Sequence, residues 1–352
     1  IITSGEHMDH TLTFKLATGG AALLLLASGL SGTAHADAAV SAEALPKVVH
    51  RADPDLKTES IPVNETEQAY TATTAGTSVT ISKGTDSHIT VSDDEGSLAL
   101  TMPSKDDPGE PELLTEDMVA YGEPGGTTTV ASPRKDGSLQ LHVVIPSPSS
   151  PKEYAFAVSA STGARPHMMG DSVVFVDPDG SFAGALAPAW AKDATGRDVP
   201  THFTISPDGR FTQVVEHDAS FSYPIVADPW LGKNLFGGFT TKRKTYKGKK
   251  VYSAALNSWG WSVYTGAAGS PLPVPGPLKT ASGYKIIREA GWKEWKTHLV
   301  GQNPPISVEQ QYVCHARFGY AFWKAGFHWD LELARPSKPD WTKNPWRHKC
   351  NW

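Results

Sequence analysis

Long hydrophobic runs are missing from this sequence. Its main apolar stretch, residues 21–30 (AALLLLASGL), falls well short of the ~20 residues that a membrane-spanning helix needs. That excludes a polytopic membrane protein and leaves no transmembrane anchor to expect. Signatures of common catalytic machinery are also missing: there is no H-E-x-x-H, no G-x-S-x-G, no P-loop and no dinucleotide fingerprint. Gly170-Asp171-Ser172-Val173-Val174 lacks the second glycine of a nucleophile elbow. Ser149-Ser150-Pro151-Lys152 has the S-x-x-K spacing, but Pro151 opposes the helix that would present Ser and Lys together. No cofactor and no metal site is expected. Cysteine is scarce, with 2 in 352 residues, and neither lies near residues 8–36, so a lipid-attachment cysteine is excluded. Residues 37–69 show no sustained periodicity either. Instead, glycine (32) and proline (27) together exceed the usual share of about 12%, which favours short strands and turns over long helices.

Residues 8–36 have the layout of an export signal. Lys15 supplies the positive segment, residues 21–30 the apolar one, and Ala34-His35-Ala36 a small-x-small cleavage site. Residues 1–7 read as upstream sequence, and cleavage after Ala36 would give a secreted, extracellular product starting at Asp37. Asn64-Glu65-Thr66 matches a glycosylation acceptor, which behind a bacterial-type signal is a chance match.

The net charge of -5 conceals two opposite parts. From Gly232 onward there are 19 Lys and Arg against 6 Asp and Glu, while the preceding part has 13 against 31. Nine of the 11 tryptophans also follow Trp230. Such joint shifts mark a domain boundary. The expected organisation is upstream residues and signal (1–36), a flexible leader (37–69), an acidic β-rich domain (70–230), a basic, Pro-rich connecting region (231–283) and a Trp-rich, disulfide-linked domain (284–352). The fold class is mainly β: a sandwich-like or barrel-like N-terminal domain, then a small β-rich (α+β) C-terminal domain.

Alternation with period 2 at residues 79–81, 88–91, 98–102, 139–145, 154–158, 173–176 and 203–205 predicts strands. Asp136-Gly137, Asp179-Gly180 and Asp208-Gly209 supply hairpin turns. The acidic runs Asp93-Asp94-Glu95 and Asp177-Pro178-Asp179 read as turn chemistry, because neither has the spacing of a calcium loop. Further on, strands are expected within 251–264, a connector at 269–277, and a strand ending near Arg288 before a helical turn at 292–299. Residues 311–318 and 327–333 alternate and are expected as strands.

Two cysteines in an exported chain predict a Cys314–Cys350 disulfide. On the second alternating pair, Phe327, Trp329, Leu331 and Leu333 would share one face, and His328, Asp330 and Glu332 the other. His315 and Arg317 would face with them if the strands pair. Two histidines, two carboxylates and an arginine on one surface could perform general acid/base cleavage of a phosphodiester. Alternation alone also produces such a polar face on any half-buried sheet. The run at 242–250 (KRKTYKGKK) supplies Lys242, Arg243, Lys244, Lys247, Lys249 and Lys250 for binding an anionic polymer, either an envelope polymer or nucleic acid. The acidic part could dock on this basic part and mask it. Trp341, Trp346 and Trp352 lie in a tail where Pro336, Pro339 and Pro345 oppose regular structure, so these rings are candidates for exposure.

Two resemblances follow from particular residues. Tyr223-Pro224-Ile225-Val226-Ala227-Asp228-Pro229-Trp230, with Ala187-Pro188-Ala189-Trp190 before it, resembles a junction of actinomycete secreted proteins in which a β-rich region precedes variable modules. Gly291-Trp292-Lys293-Glu294-Trp295, Gln311-Tyr312-Val313-Cys314-His315, Trp329-Asp330-Leu331-Glu332, Pro336 and Cys350 together resemble a small secreted bacterial domain of unknown function. These imply export, modularity and a disulfide-bonded module, but no activity. The function expected is a non-enzymatic extracellular binding module for anionic polymers or the cell envelope. The alternative is a secreted antibacterial effector with a hydrolytic C-terminal domain.

Overall fold

The computed structural model describes residues 39–84, 88–103, 109–123, 125–266, 277–322 and 326–352. The expected signal and its cleavage site, and most of the expected connector at 269–277, lie outside the described residues. Strand outweighs helix, 39% to 21%, so the chain is mainly β. Among the described residues no helix is long and apolar enough to cross a membrane.

Two antiparallel sheets face each other. The first has eight strands in the order Asn64–Glu65, Ala69–Thr74, Thr77–Ser82, His88–Asp93, Gly96–Thr101, Glu153–Ala160, Phe211–Val215 and Thr201–Ile205. The second is built around Leu139–Ile145, which pairs with Thr128–Pro133 on one side and with Ile225–Ala227 and Trp230–Gly232 on the other. Alternate residues from both sheets, among them Ile81, Ile89, Leu100, Tyr121, Leu141 and Phe175, fill one core between them. Such a two-sheet core is what half-buried, alternating strands require. The expected hairpin turns sit where their sequence placed them. Gly137 has φ +81°, and a Cβ there would lie 2.8 Å from Thr77 Oγ1, so no larger residue fits. The acidic runs are turns as well: Asp93 Oδ1 accepts from the Glu95 amide and Asp179 Oδ1 from the Ser181 amide.

The described part of the expected flexible leader, residues 39–69, differs from that expectation. Helices Leu45–Ala52 and Leu56–Glu59 and the strand Asn64–Glu65 occupy this segment. Leu45, Val49, Ala52 and Leu56 pack on Met118, Ala120, Val130, Val144, Trp190 and Val226, on the outer face of the second sheet. Their spacing follows a helical stripe, and Pro46 falls in the first helical turn, where it is tolerated. Asp53 then reaches His142 Nε2 at 3.3 Å and Arg134 Nη1 at 3.4 Å, both beneath the helix.

The expected boundary at 230/231 falls inside the strand Trp230–Gly232, which belongs to the second sheet. Residues Asp37–Trp352 form one compact unit. Val174, Ala185 and Trp230 from the second sheet, with Ala187 just beyond a strand end, share a cluster with Phe236, Trp259, Trp295, Tyr312 and Trp329 from the C-terminal region. The expected connecting region is therefore largely structured. Its long strand Lys249–Leu256 pairs with Phe236–Thr240 and Thr245–Tyr246, and also with His328–Glu332.

Three of the expected strands in this region are helical. Residues 258–264 lie in the helix Ser258–Thr265, capped by the Asn257 side chain, which accepts from the Gly260 amide, and ended by Gly266 at φ +67°. The strand expected to end near Arg288 is helical, part of turns over 284–300 in which Ile287–Gly291 and Lys296–Val300 are π-type, while the helical turn expected at 292–299 is present. Gly291, which reads as a helix weakener, sits where a Cβ would lie 2.5 Å from the Tyr312 hydroxyl; its lack of a side chain allows the packing. Residues 311–318 lie in the helix Ile306–Phe322. There Val308, Tyr312 and Ala316 are buried at four-residue spacing. Positions 312 and 316 fit a period of 2 as well as a helical stripe, and that coincidence made the segment look like a strand.

Candidate functional site

The strand His328–Glu332 lies on one edge of the long strand, with Val251 opposite Glu332, Ser253 opposite Asp330 and Ala255 opposite His328. Pleating separates its two faces as expected. Trp329 and Leu331 enter the apolar cluster, while Asp330 and Glu332 turn to the other side. Phe327 departs from the expected core face: it precedes the strand and is 57% exposed. Leu333 packs partly against the cluster.

Asp330 and Glu332 are met by cations from the basic run and the tail. Asp330 accepts from Arg243 Nη1 at 3.0 Å, Lys244 Nζ at 2.8 Å and Ser253 Oγ at 2.5 Å. Burial pushes its carboxyl up, but the bonds from Lys244 and Ser253 and the charges of Lys244 and Arg243 outweigh this and hold it below the ordinary value. Glu332 is held by Arg335 and lies 3.8 Å from Lys244 Nζ. The outer edge of the strand is closed by side chains. Gln311 Nε2 donates to the Glu332 carbonyl at 3.1 Å, its Oε1 accepts from the Glu332 amide at 2.8 Å, and Asn351 Nδ2 donates to the Asp330 carbonyl at 2.8 Å. These amides replace a neighbouring strand and leave less edge for another chain to pair with.

The candidate acid/base residues do not converge. His315 is 1% exposed, stacked on Trp329 with ring centroids 5.4 Å apart, and its Nδ1–H donates to the Gln311 carbonyl at 2.7 Å. Burial lowers its pKa to about 4, so the imidazole is neutral at pH 7. Arg317, two residues on, is exposed about 200° around the helix, beside Phe318. His328 is half-buried on the polar face. What meets there is an ion-pair network that fastens the basic run to the sheet. Sequence reasoning missed that Arg243 and Lys244 are paired within the C-terminal region, and missed Arg335 and Gln311. The spacing of Glu332 and Arg335 was the one local signal for that pair.

His315 makes stability acid-sensitive. Its folded pKa of about 4 lies below the ordinary 6.5, so the unfolded chain binds more protons between those values. The contribution is fully present above pH 6.5 and is lost as pH falls towards 4, a change of about 3 kcal/mol. Urea midpoints at pH 7 and pH 4 should therefore differ less in His315→Phe than in the unaltered protein. Equal pH dependence in the two would contradict this assignment.

Beyond the network, Thr245–Tyr246 and the start of Lys249–Leu256 form a hairpin whose turn, Lys247-Gly248, has φ of +48° and +72°. Both positive values fit a primed two-residue turn. Lys242, Lys247, Lys249 and Lys250 are exposed, and among the described residues none of them makes an ion pair. Tyr246 lies between two cations, with Arg335 at 4.0 Å and Lys247 at 5.4 Å from its ring centre. Acidic residues of the N-terminal part pair elsewhere, Asp93 with Lys233 at 2.7 Å and Glu95 with Lys293 at 3.4 Å. The two parts therefore meet through ion pairs, but the acids of the first do not cover the hairpin lysines.

Those two pairs line a cleft of about 100 Å³ between strand turns and the segment around Glu294. Glu294 accepts from the Leu235 and Phe236 amides, each at 3.0 Å, and burial, with Glu95 and Asp93 nearby, pushes its pKa up to about 8. Its bonds fix the entry of the strand Phe236–Thr240, a structural duty. Among the described residues no group of three or more His, Cys, Asp or Glu side chains is placed to hold a metal ion. No family model matches the chain, and neither the curated proteins nor the solved structures yielded a match.

Proposed function

We propose that this chain is a secreted, non-enzymatic module that binds anionic polymers through its lysine hairpin. The observation that carries this reading is the separation of roles within the basic run. Arg243 and Lys244 are consumed by Asp330 and Glu332, whereas Lys242, Lys247, Lys249 and Lys250 project into solvent without internal counter-ions among the described residues. Lysine is a mobile point charge, suited to a polymer whose charges repeat without a fixed planar geometry. Export is supported by the layout of residues 8–36 and by the Cys314–Cys350 disulfide, since such bonds persist in oxidising compartments. The resemblance of residues 223–230 to a segment of secreted proteins, and of the C-terminal region to a small secreted domain, also supports an extracellular module. The hydrolytic alternative has less in its favour, because His315 is buried and neutral while Asp330 and Glu332 already hold cations.

Binding through four lysines releases about four counter-ions. Affinity for linear inorganic polyphosphate should then fall about 50-fold between roughly 50 and 200 mM salt. The variant Lys247→Ala/Lys249→Ala should show about half that salt slope. Titration by fluorescence anisotropy checks both expectations; affinity that is absent, or unchanged across the salt series, would defeat the proposal.

A further inference from the structure

The two arms of the lysine hairpin are held in different ways. The second arm belongs to a sheet: from Val251 onward it pairs with His328–Glu332, and from Ser253 with Phe236–Thr240 as well. The first arm has two residues in register, Thr245 opposite Lys250 and Tyr246 opposite Lys249. So short a pairing is not stable by itself, and side chains must hold the arm. Arg243 and Lys244 are tied to Asp330, and the Tyr246 ring centre lies 4.0 Å from the Arg335 guanidinium. Tyr246 faces Lys249 across the pair and Lys247 follows it in the turn, so the place of this ring sets where both lysines stand.

Arg335 is not placed to meet a polymer itself. Its side chain is 16% exposed and already engaged. Its Nε donates to the Glu332 carboxylate, its Nη1 donates to the Trp352 carbonyl, and its face covers Tyr246. It therefore joins three elements: the strand His328–Glu332, the hairpin and the tail. The tail segment that it holds is anchored close by. Cys350 is bonded to Cys314 in the helix Ile306–Phe322, and Asn351 Nδ2 donates to the Asp330 carbonyl at 2.8 Å. Trp352 Nε1 donates to the Pro336 carbonyl at 2.9 Å, and its ring, expected to be exposed, is half-buried. Residues 350–352 thus connect a covalent bond in the helix with the guanidinium that packs on the hairpin.

Building on the anionic-polymer reading, we infer that Arg335 is a positioning residue for the lysine hairpin and that the Cys314–Cys350 disulfide holds it in that role, so that polymer affinity depends on the bond. The physical reason is preorganisation. A polymer that meets lysines already in place has less ordering to impose on binding. If the first arm is ordered for only part of the time, apparent affinity falls by that fraction. Arginine suits the position because a planar guanidinium donates in its own plane while its face stacks on a ring, which an ammonium cannot do.

The experiment titrates the intact chain with linear inorganic polyphosphate across a salt series. Arg335→Ala, Cys350→Ser and Tyr246→Leu should each weaken binding about fivefold at every salt concentration, as expected of an arm ordered about a fifth of the time. The salt slope should stay unchanged, because the four lysines still make the contacts; Tyr246→Leu serves as the variant that leaves the Arg335 bonds intact. Arg335→Lys should not restore affinity, and Arg335→Ala/Cys350→Ser should lose no more than either single variant, since both act through one chain of contacts. A second measurement needs no polymer: amide hydrogen exchange at residues 245–250 should quicken at least about tenfold in Arg335→Ala and in Cys350→Ser. Unchanged exchange there, unchanged affinity in Cys350→Ser, or a salt slope reduced by about one in Arg335→Ala, which would make it a direct contact, overturns this inference while the anionic-polymer reading stands. If the unaltered chain binds no polyphosphate, both are overturned.

Discussion

Replacing Cys350 with serine is expected to lower the unfolding free energy by about 4 kcal/mol. The bond joins residues 36 apart in sequence, and both cysteines are fully buried. Closing a loop of this length restricts the unfolded chain, and the chain-entropy relation gives the quoted magnitude. Native contacts should follow the bond. The Asn351 bond to the Asp330 carbonyl and the Arg335 bond to the Trp352 carbonyl both hold the segment that Cys350 anchors. Urea unfolding of Cys350→Ser, of Cys314→Ser and of the double variant should give three similar losses, since any one removes the same bond. Stability within about 1 kcal/mol of the unaltered chain would show that the tail is held without the disulfide.

Trp329→Ala should cost a similar amount, about 3–5 kcal/mol. This indole is the hub of the C-terminal cluster. Its ring centroid lies 5.1 Å from Phe236, 5.8 Å from Tyr312, 6.3 Å from Tyr264 and 5.4 Å from His315. Gly319 admits it on the helix side, where a Cβ would approach to 3.0 Å. Removing the indole leaves a cavity bounded by rings that belong to one strand and two helices. Those elements are fixed by other contacts and would collapse only in part. Trp329→Phe should cost less, since most of the volume is retained. Thermal or urea unfolding measures both, and a loss below about 1 kcal/mol for the alanine variant would mean that the cluster repacks freely. A core built on one indole in this way also explains why tryptophan is concentrated after residue 230. These rings let a short segment bury a large apolar area against the second sheet.

The strands of the N-terminal part were legible because their signal is local. Val79 and Ile81, Ile89 and Val91, and Leu98 and Leu100 each point to one side of a pleated strand, and one buried face demands that spacing. The Asp-Gly turns were legible for a similar reason: each hairpin closes on a left-handed position, φ +81° at Gly137, +85° at Gly180 and +83° at Gly209, which glycine supplies without strain. The disulfide followed from having only two cysteines. The basic run at 242–250 and the division of charge at about residue 231 could be counted directly.

Several features depended on neighbours distant in the chain. Residues 311–318 suit a strand and a helix equally, and the helix prevails because Tyr312 and Ala316 meet Trp329 and the Gly291 turn. The segment at 45–56 has a readable stripe, but its partner face on Met118, Val130 and Val144 exists only after the second sheet has formed. Which cations of the basic run remain free was decided by pairing across the fold: Asp330 lies 87 residues from Arg243 in sequence yet 3.0 Å from its guanidinium. Alternation therefore determined the faces of His328–Glu332, and tertiary packing determined their chemistry. It buried His315 as a neutral ring, spent Arg243 and Lys244 on two carboxylates, and left the hairpin lysines facing water. The reason is physical: periodicity constrains the direction in which a side chain leaves its own backbone, whereas its charge state and accessibility depend on what the rest of the chain packs against it.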